Sequence, residues 1–160
     1  MKVKKRMSWT KGLVHLMFFS LLCPQVWAQD GLPETYVGSE ACLLCHEDEY
    51  ENFAKYARKS HSFQSVLKMQ KGLTPEEVKG CYACHTTGYG KSGGFVSLEQ
   101  TPELKNAGCE VCHGPGGQHA ETEDPGHIVG RVTIDVCRKC HTEERVSAFR
   151  YRPLIHGGAH

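Results

Sequence analysis

The stretch "GCEVCHGPGGQHA", from Gly108 to Ala120, sets two cysteines and two histidines within eleven residues. Cys109, Cys112 and His113 form C-x-x-C-H, the attachment pattern of c-type haem. On a helical turn, residues i and i+3 share a face. Two thiols at that spacing reach the two vinyl groups of one porphyrin edge and form thioethers. The histidine that follows turns its imidazole onto the iron. Past the Gly114-Pro115-Gly116-Gly117 break stands His119, a histidine that the motif leaves without a role.

The pattern recurs at Cys42/Cys45/His46, Cys81/Cys84/His85 and Cys137/Cys140/His141. The last three motifs start at 81, 109 and 137, an interval of 28 each time. No other repeat accompanies that interval, which reads as packing and not as a solenoid. Beyond residue 28 every cysteine belongs to a motif and none is left for a disulfide. Structural zinc is the competing reading, since such sites draw four Cys/His ligands from paired half-sites. Zinc, however, does not require a histidine directly after every second cysteine. The motifs therefore predict four covalently bound haem c groups. Cys42, Cys45, Cys81, Cys84, Cys109, Cys112, Cys137 and Cys140 attach them, and His46, His85, His113 and His141 ligate the irons.

The N-terminal segment has the anatomy of an export signal. Lys2, Lys4, Lys5, Arg6 and Lys11 precede a short apolar run, Leu13 to Leu22, and Val26-Trp27-Ala28 reads as a cleavage site. The run is shorter than the about 20 residues of a membrane span. Cys23 suggests a lipid anchor, but Leu22 is bulkier than the small residue such sites prefer. The expectation is a cleaved signal over 1–28, a single domain over 29–160, a periplasmic location and no integral membrane anchor.

Removing 1–28 takes five basic and no acidic residues, leaving 14 Lys+Arg against 18 Asp+Glu and a formal charge of −4 in place of +1. No basic patch for nucleic acid emerges. Leu, Ile, Val and Phe supply 24 of the remaining 132 residues, below the roughly one fifth at which a chain struggles to offset its ordering entropy. Four haems would supply the missing apolar core.

The local signals predict a mainly α chain with extensive irregular loops. Ser39 is a candidate N-cap for a helix through the first motif. Tyr50, Phe53, Ala54 and Ala57 form an amphipathic stripe that His61 continues if the helix runs that far. Thr74-Pro75-Glu76-Glu77 reads as a capping box with proline at the first helical position. Thr101-Pro102 repeats that signal, and Thr133 or Asp135 caps the turn carrying Cys137. Strand alternation is confined to two or three residues around Phe95-Val96.

Second axial ligands come from the histidines outside the motifs: His61, His119, His127, His156 and His160. His46 and His61 are 15 residues apart, or ~22 Å on one continuous helix, too far to share an iron. His119 lies only six residues past His113, too near to pass round the porphyrin edge and return. His61 and His119 are thus expected to ligate haems other than those of their neighbouring motifs. An isolated histidine on an apolar helix face is ordinarily a packed side chain, but four nearby irons favour the ligand reading here. His127 sits in a polar loop, His156 follows the apolar Pro153-Leu154-Ile155, and Met69 reads as core.

The order of these elements resembles the tetrahaem cytochrome c-554 family (cytochrome c-552/4 domain). The resemblance rests on "YVGSEACLLCHEDEYENFAKYARKSHS", "CYACHTTGYGKSGGF", "GCEVCHGPGGQH" and "CRKCH", which cover most of Tyr36 to His141. It implies a compact multihaem cytochrome c organised around its haems, carrying electrons in nitrogen-oxidising or metal- and sulfur-respiring bacteria. By position, it implies that His61 ligates the fourth haem beside His141 and that His119 ligates the first beside His46. It further implies a downstream histidine for the third haem beside His113. His156 is the candidate, with His127 and His160 as alternatives. The second haem, on His85, would have no protein ligand on its distal face.

The expected function is a periplasmic carrier of electrons between redox partner proteins, with no catalytic residue assigned. Two alternatives remain. One is a small redox enzyme acting on a nitrogen oxide or hydroxylamine at an open haem on His85. The other is an electron-transfer subunit of a larger complex.

Overall fold

The computed structural model describes residues 34–144. The export signal, His156 and His160 lie outside the described residues. So do the apolar residues ahead of His156. The described residues all belong to one unit, 31–160.

Seven short helices carry the chain: α1 (Ser39–Cys42), α2 (Glu47–Tyr56), α3 (Phe63–Met69), α4 (Pro75–His85), α5 (Cys109–His113), α6 (Gly117–Thr122) and α7 (Ile134–Arg138). Single 3-10 turns intervene at Arg58–His61, Pro102–Leu104 and Pro125–His127. Among the described residues there is no strand, and no helix is long and apolar enough to cross a membrane. The mainly α, loop-rich expectation holds.

Phe95 and Val96 alternate in burial, at 2% and 54% exposed, but they pair with no strand. The Phe95 N–H instead donates to the Thr87 carbonyl, and the Val96 N–H to Thr101 Oγ1. Thr101 is therefore engaged with the preceding loop and caps nothing, although Pro102 does open a 3-10 turn.

The capping box at α4 forms as read. Thr74 Oγ1 accepts from the Glu77 N–H, and the Glu77 carboxylate accepts from the Thr74 N–H at 2.8 Å. Ser39, by contrast, is not a cap. Gly38 holds the cap position of α1, and Ser39 Oγ accepts the N–H of Cys109 at 3.0 Å. Nor does α2 reach His61. It stops at Ala57, whose ψ of 115° is extended. Lys55 and Lys59 would be like charges at i,i+4 on a longer helix. The Ser60 hydroxyl lies 2.7 Å from the Ala57 carbonyl and 3.2 Å from that of Ala54, a local competitor for helical bonding. The break lets Phe53 and Ala57 bury together while His61 stays exposed.

The peptide core is small. Phe63, Val66, Phe95 and Leu104 form its buried centre, with Tyr36, Val78, Cys81, Tyr82 and Tyr89 packed against it. The Tyr82 ring meets Phe63, Tyr89 and Phe95 with centroids 5.8, 5.3 and 5.2 Å apart. Aromatic pairs at such spacing contribute about 0.5–1.5 kcal/mol each beyond their burial. The loop from Gly88 to Gly94 closes so tightly that a Cβ on Gly94 would strike the Gly88 carbonyl, and Gly88 itself sits at a φ of +69°.

Candidate haem centres

Each motif sits on a single helical turn, but the turns are built differently. In the second motif Cys81 to His85 close α4, and in the third Cys109 to His113 are α5 itself. The first motif straddles the gap between α1 and α2, where the His46 N–H bonds back to the Cys42 carbonyl at 2.9 Å. The fourth repeats that bond from the His141 N–H to the Cys137 carbonyl, also at 2.9 Å. Among the described residues the eight cysteines form no disulfide. Among the described residues no three His, Cys, Asp or Glu side chains gather as a bare metal ion would need. The donor set thus suits a cofactor that brings its own equatorial ligands and asks the protein for two thiols and axial imidazoles.

Two motif histidines are oriented by the backbone. His85 Nδ1 lies 2.9 Å from the Ser62 carbonyl, and His113 Nδ1 lies 2.6 Å from that of Val129. A carbonyl only accepts, so the proton sits on Nδ1 in both rings and Nε2 presents its lone pair. That is the usual arrangement behind a metal-bound imidazole. Ser62 serves twice, since its hydroxyl donates to the His85 carbonyl and accepts the Ala107 N–H.

His119 shows the same preparation. Its Nδ1 lies 3.0 Å from the Asp124 carbonyl. Its ring centroid stands 6.3 Å from that of His46, with the ring planes 32° apart. Imidazole nitrogens bind first-row metals at about 2.0–2.1 Å. The ring centre lies roughly another 1.1 Å back, so two rings facing across one metal have centroids about 6.3 Å apart. The His46–His119 gap has that width.

The other histidines divide. His61 is exposed on the 3-10 turn after the helix break. Burial pushes the His141 imidazole below its ordinary pKa, and the Lys59 ammonium, two residues before His61, pushes it further. His127 is committed elsewhere. Its Nε2 meets Gln118 Nε2 at 3.2 Å and its Nδ1 meets Thr122 Oγ1 at 3.0 Å, while the Thr122 hydroxyl donates to the Gln118 carbonyl. That closed set occupies both ring nitrogens. Met69 is 66% exposed, so its reading as core does not hold. It is the last residue of α3.

The first and third motifs meet. The Cys42 thiol is hydrogen-bonded to Cys109, which holds the Cys109 thiol down at about 6 and drives the Cys42 thiol far above its ordinary range. Thioether formation abolishes both titrations but keeps the adjacency. Sequence reasoning missed Glu110, between Cys109 and Cys112. It is 3% exposed and is hydrogen-bonded to three backbone N–H groups. The available signal was an acidic residue inside the motif that runs directly into Gly114-Pro115-Gly116. Tyr82 and Tyr89 pack edge-on within the aromatic cluster.

The family described as cytochrome c554 and c-prime matches residues 41–114, the segment that holds the first three motifs. Cytochrome c-554 of Nitrosomonas europaea is 31% identical over 156 residues, which is 86% of this chain and 65% of that protein. The chain thus spans just under two thirds of that relative's length. No solved structure matches. With its C-x-x-C-H turns inside the matched segment and a relative aligned across most of its length, the chain belongs to the cytochrome c-554 family of c-type cytochromes.

Proposed function

We propose that the chain is a periplasmic tetrahaem electron carrier, passing electrons between redox partner proteins. The observation that carries this reading is the 6.3 Å separation of the His46 and His119 ring centres, two rings from distant parts of the chain. Bis-imidazole ligation closes an iron to substrates and suits outer-sphere transfer, with potential set by axial ligands, burial and nearby charge. In the same reading Cys42, Cys45, Cys81, Cys84, Cys109, Cys112, Cys137 and Cys140 attach four haems. His46, His85, His113 and His141 are the proximal ligands. His119 serves the first haem, His61 the fourth and His156 the third. The Cys42–Cys109 contact supports two haem edges lying side by side, a short path for an electron.

A second activity attaches to His85. His127 is tied up by Gln118 and Thr122, and the segment from Thr86 to Gly108 contains no His or Met. This favours a distal face open to a small nitrogen species. Haem supplies the redox chemistry there, and the chain's part is to fix the His85 ring through the Ser62 carbonyl.

Intact mass tests the haem count, and electron paramagnetic resonance of the oxidised protein tests the ligation. Four haem masses that survive acid-acetone, with three low-spin signals and one high-spin signal, are expected. Two haems, or bound zinc, overturn the tetrahaem reading. Four low-spin haems that ignore carbon monoxide and nitric oxide overturn the open site and leave the carrier.

A further inference from the structure

Glu110 occupies a variable position of the third motif, where the other motifs have Leu43, Tyr82 and Arg138. It is nearly sealed from water, at 3% exposed. A carboxylate withdrawn from solvent needs charge-assisted partners. Glu110 draws them from the main chain. Oε1 accepts from the N–H groups of Gly116 at 2.7 Å and Val37 at 3.0 Å. Oε2 accepts from those of Gly38 at 2.8 Å and Val37 at 3.2 Å.

These partners belong to two separate segments. Val37 and Gly38 lead directly into α1 and Cys42. Gly116 opens α6, whose third residue is His119. One carboxylate therefore grips the chain just before the first motif and just before the histidine that faces it. The grip is close. A Cβ on Gly116 would lie 3.3 Å from Glu110 Oε1, and one on Gly117 would strike Thr35 Oγ1. The Gly117 N–H adds a parallel tie to the Thr35 carbonyl at 3.0 Å. Leucine or tyrosine at position 110 would leave three N–H groups without this acceptor.

We propose that Glu110 is a positioning residue for the haem centre at His46, holding His119 across from it by clamping both approaching segments to the third motif. The proposal rests on the reading of His119 as the distal ligand of that haem. It assigns Glu110 a second effect as well. A buried negative charge between the first and third motifs favours the oxidised iron and lowers the reduction potential of the nearest haem.

The test uses the holoprotein in four forms: wild type, Glu110→Gln, Glu110→Ala and His119→Ala. In Glu110→Gln one oxygen remains and an NH2 group replaces the other, so a donor faces a backbone N–H. Haem content by mass should stay at the wild-type value. After reduction, carbon monoxide should enter the His46 haem on the order of tenfold faster than in wild type, as His119 dissociates more often. One haem potential should also rise. Glu110→Ala should go further, with a high-spin fraction in the oxidised spectrum. His119→Ala should lose one low-spin signal outright. If His119→Ala loses that signal while both Glu110 variants keep wild-type gas kinetics and potentials, Glu110 is only a structural plug and the proposal is overturned. If His119→Ala keeps every low-spin signal, the His119 reading fails first and takes the proposal with it. Should Glu110→Ala not mature, Glu110→Gln decides alone, because its change is confined to one atom.

Discussion

The histidines differ less in where they lie than in what holds their second nitrogen. A carbonyl behind Nδ1 fixes the tautomer and leaves the lone pair on Nε2, as at His85, His113 and His119. A polar group at each nitrogen removes the ring from coordination, as at His127. Replacing His119 with alanine should therefore convert one low-spin haem to high-spin, whereas His127→Ala should leave the spin states unchanged and loosen only the α6 end. Electron paramagnetic resonance of the two variants checks the contrast. If His127→Ala were the one to open a haem, the Gln118–Thr122 enclosure would have been misjudged. That His119 and His113 serve different irons is an expectation the sequence alone supplies, because six residues are too few to round a porphyrin. Glu110 was not legible there, because burial decides whether a carboxylate is a solvated surface group or an anchor, and burial is a property of the folded chain.

Helix ends carry most of the local information, and the sequence discloses them unevenly. The α4 start was readable because all its parts are adjacent: Thr74 as cap, Pro75 next, Glu77 reaching back. Thr74→Ala should cost about 1 kcal/mol of stability. Hydrogen bonds from Thr74 hold the Glu77 carboxyl below its ordinary pKa. A depressed carboxyl contributes stability above its unfolded pKa and loses it as pH falls through the folded value. The penalty of Thr74→Ala should thus be largest near neutrality and shrink on acidification below the usual carboxylate range. Denaturant titrations of both proteins at several pH values measure it, and a penalty that grew in acid would exclude the Glu77 arm of the box. Ser39 and Thr101 look like caps in one dimension, yet they serve partners elsewhere: Cys109, a distant residue, for Ser39 and the Val96 loop for Thr101. The end of α2 was hidden for a related reason, since the periodic stripe runs on past Ala57 while Ser60 bonds back to the carbonyls of Ala54 and Ala57.

Across the whole molecule the peptide provides too little of its own interior. Among the described residues the buried hydrophobic ones are Phe53, Ala57, Phe63, Val66, Phe95, Leu104 and Ala107, while Leu44, Tyr56, Met69 and Val96 are each more than half exposed. Full burial of a large side chain contributes about 1.5–3 kcal/mol, and seven residues, two of them alanine, fall short of a domain's ordering entropy. Chain produced without haem attachment should be protease-sensitive and lack a cooperative thermal transition. Limited proteolysis and calorimetry of that chain decide the matter, and a sharp transition would mean the aromatic cluster around Tyr82 suffices.

The ties between the two ends of this core also impose an order in time. Ser39 meets Cys109 across 70 positions, and Val37 meets Glu110 across 73. Closing so long a loop is slow and entropically uphill compared with winding a single turn. In the proposed periplasmic cytochrome, export delivers the first motif ahead of the segment bearing Glu110 and His119. The first motif can thus take up its haem while the opposite coordination position is still vacant. The nascent cytochrome would then pass through a reactive, gas-sensitive stage that ends only when residues 110–119 arrive, so maturation is a race between distal closure and stray ligands.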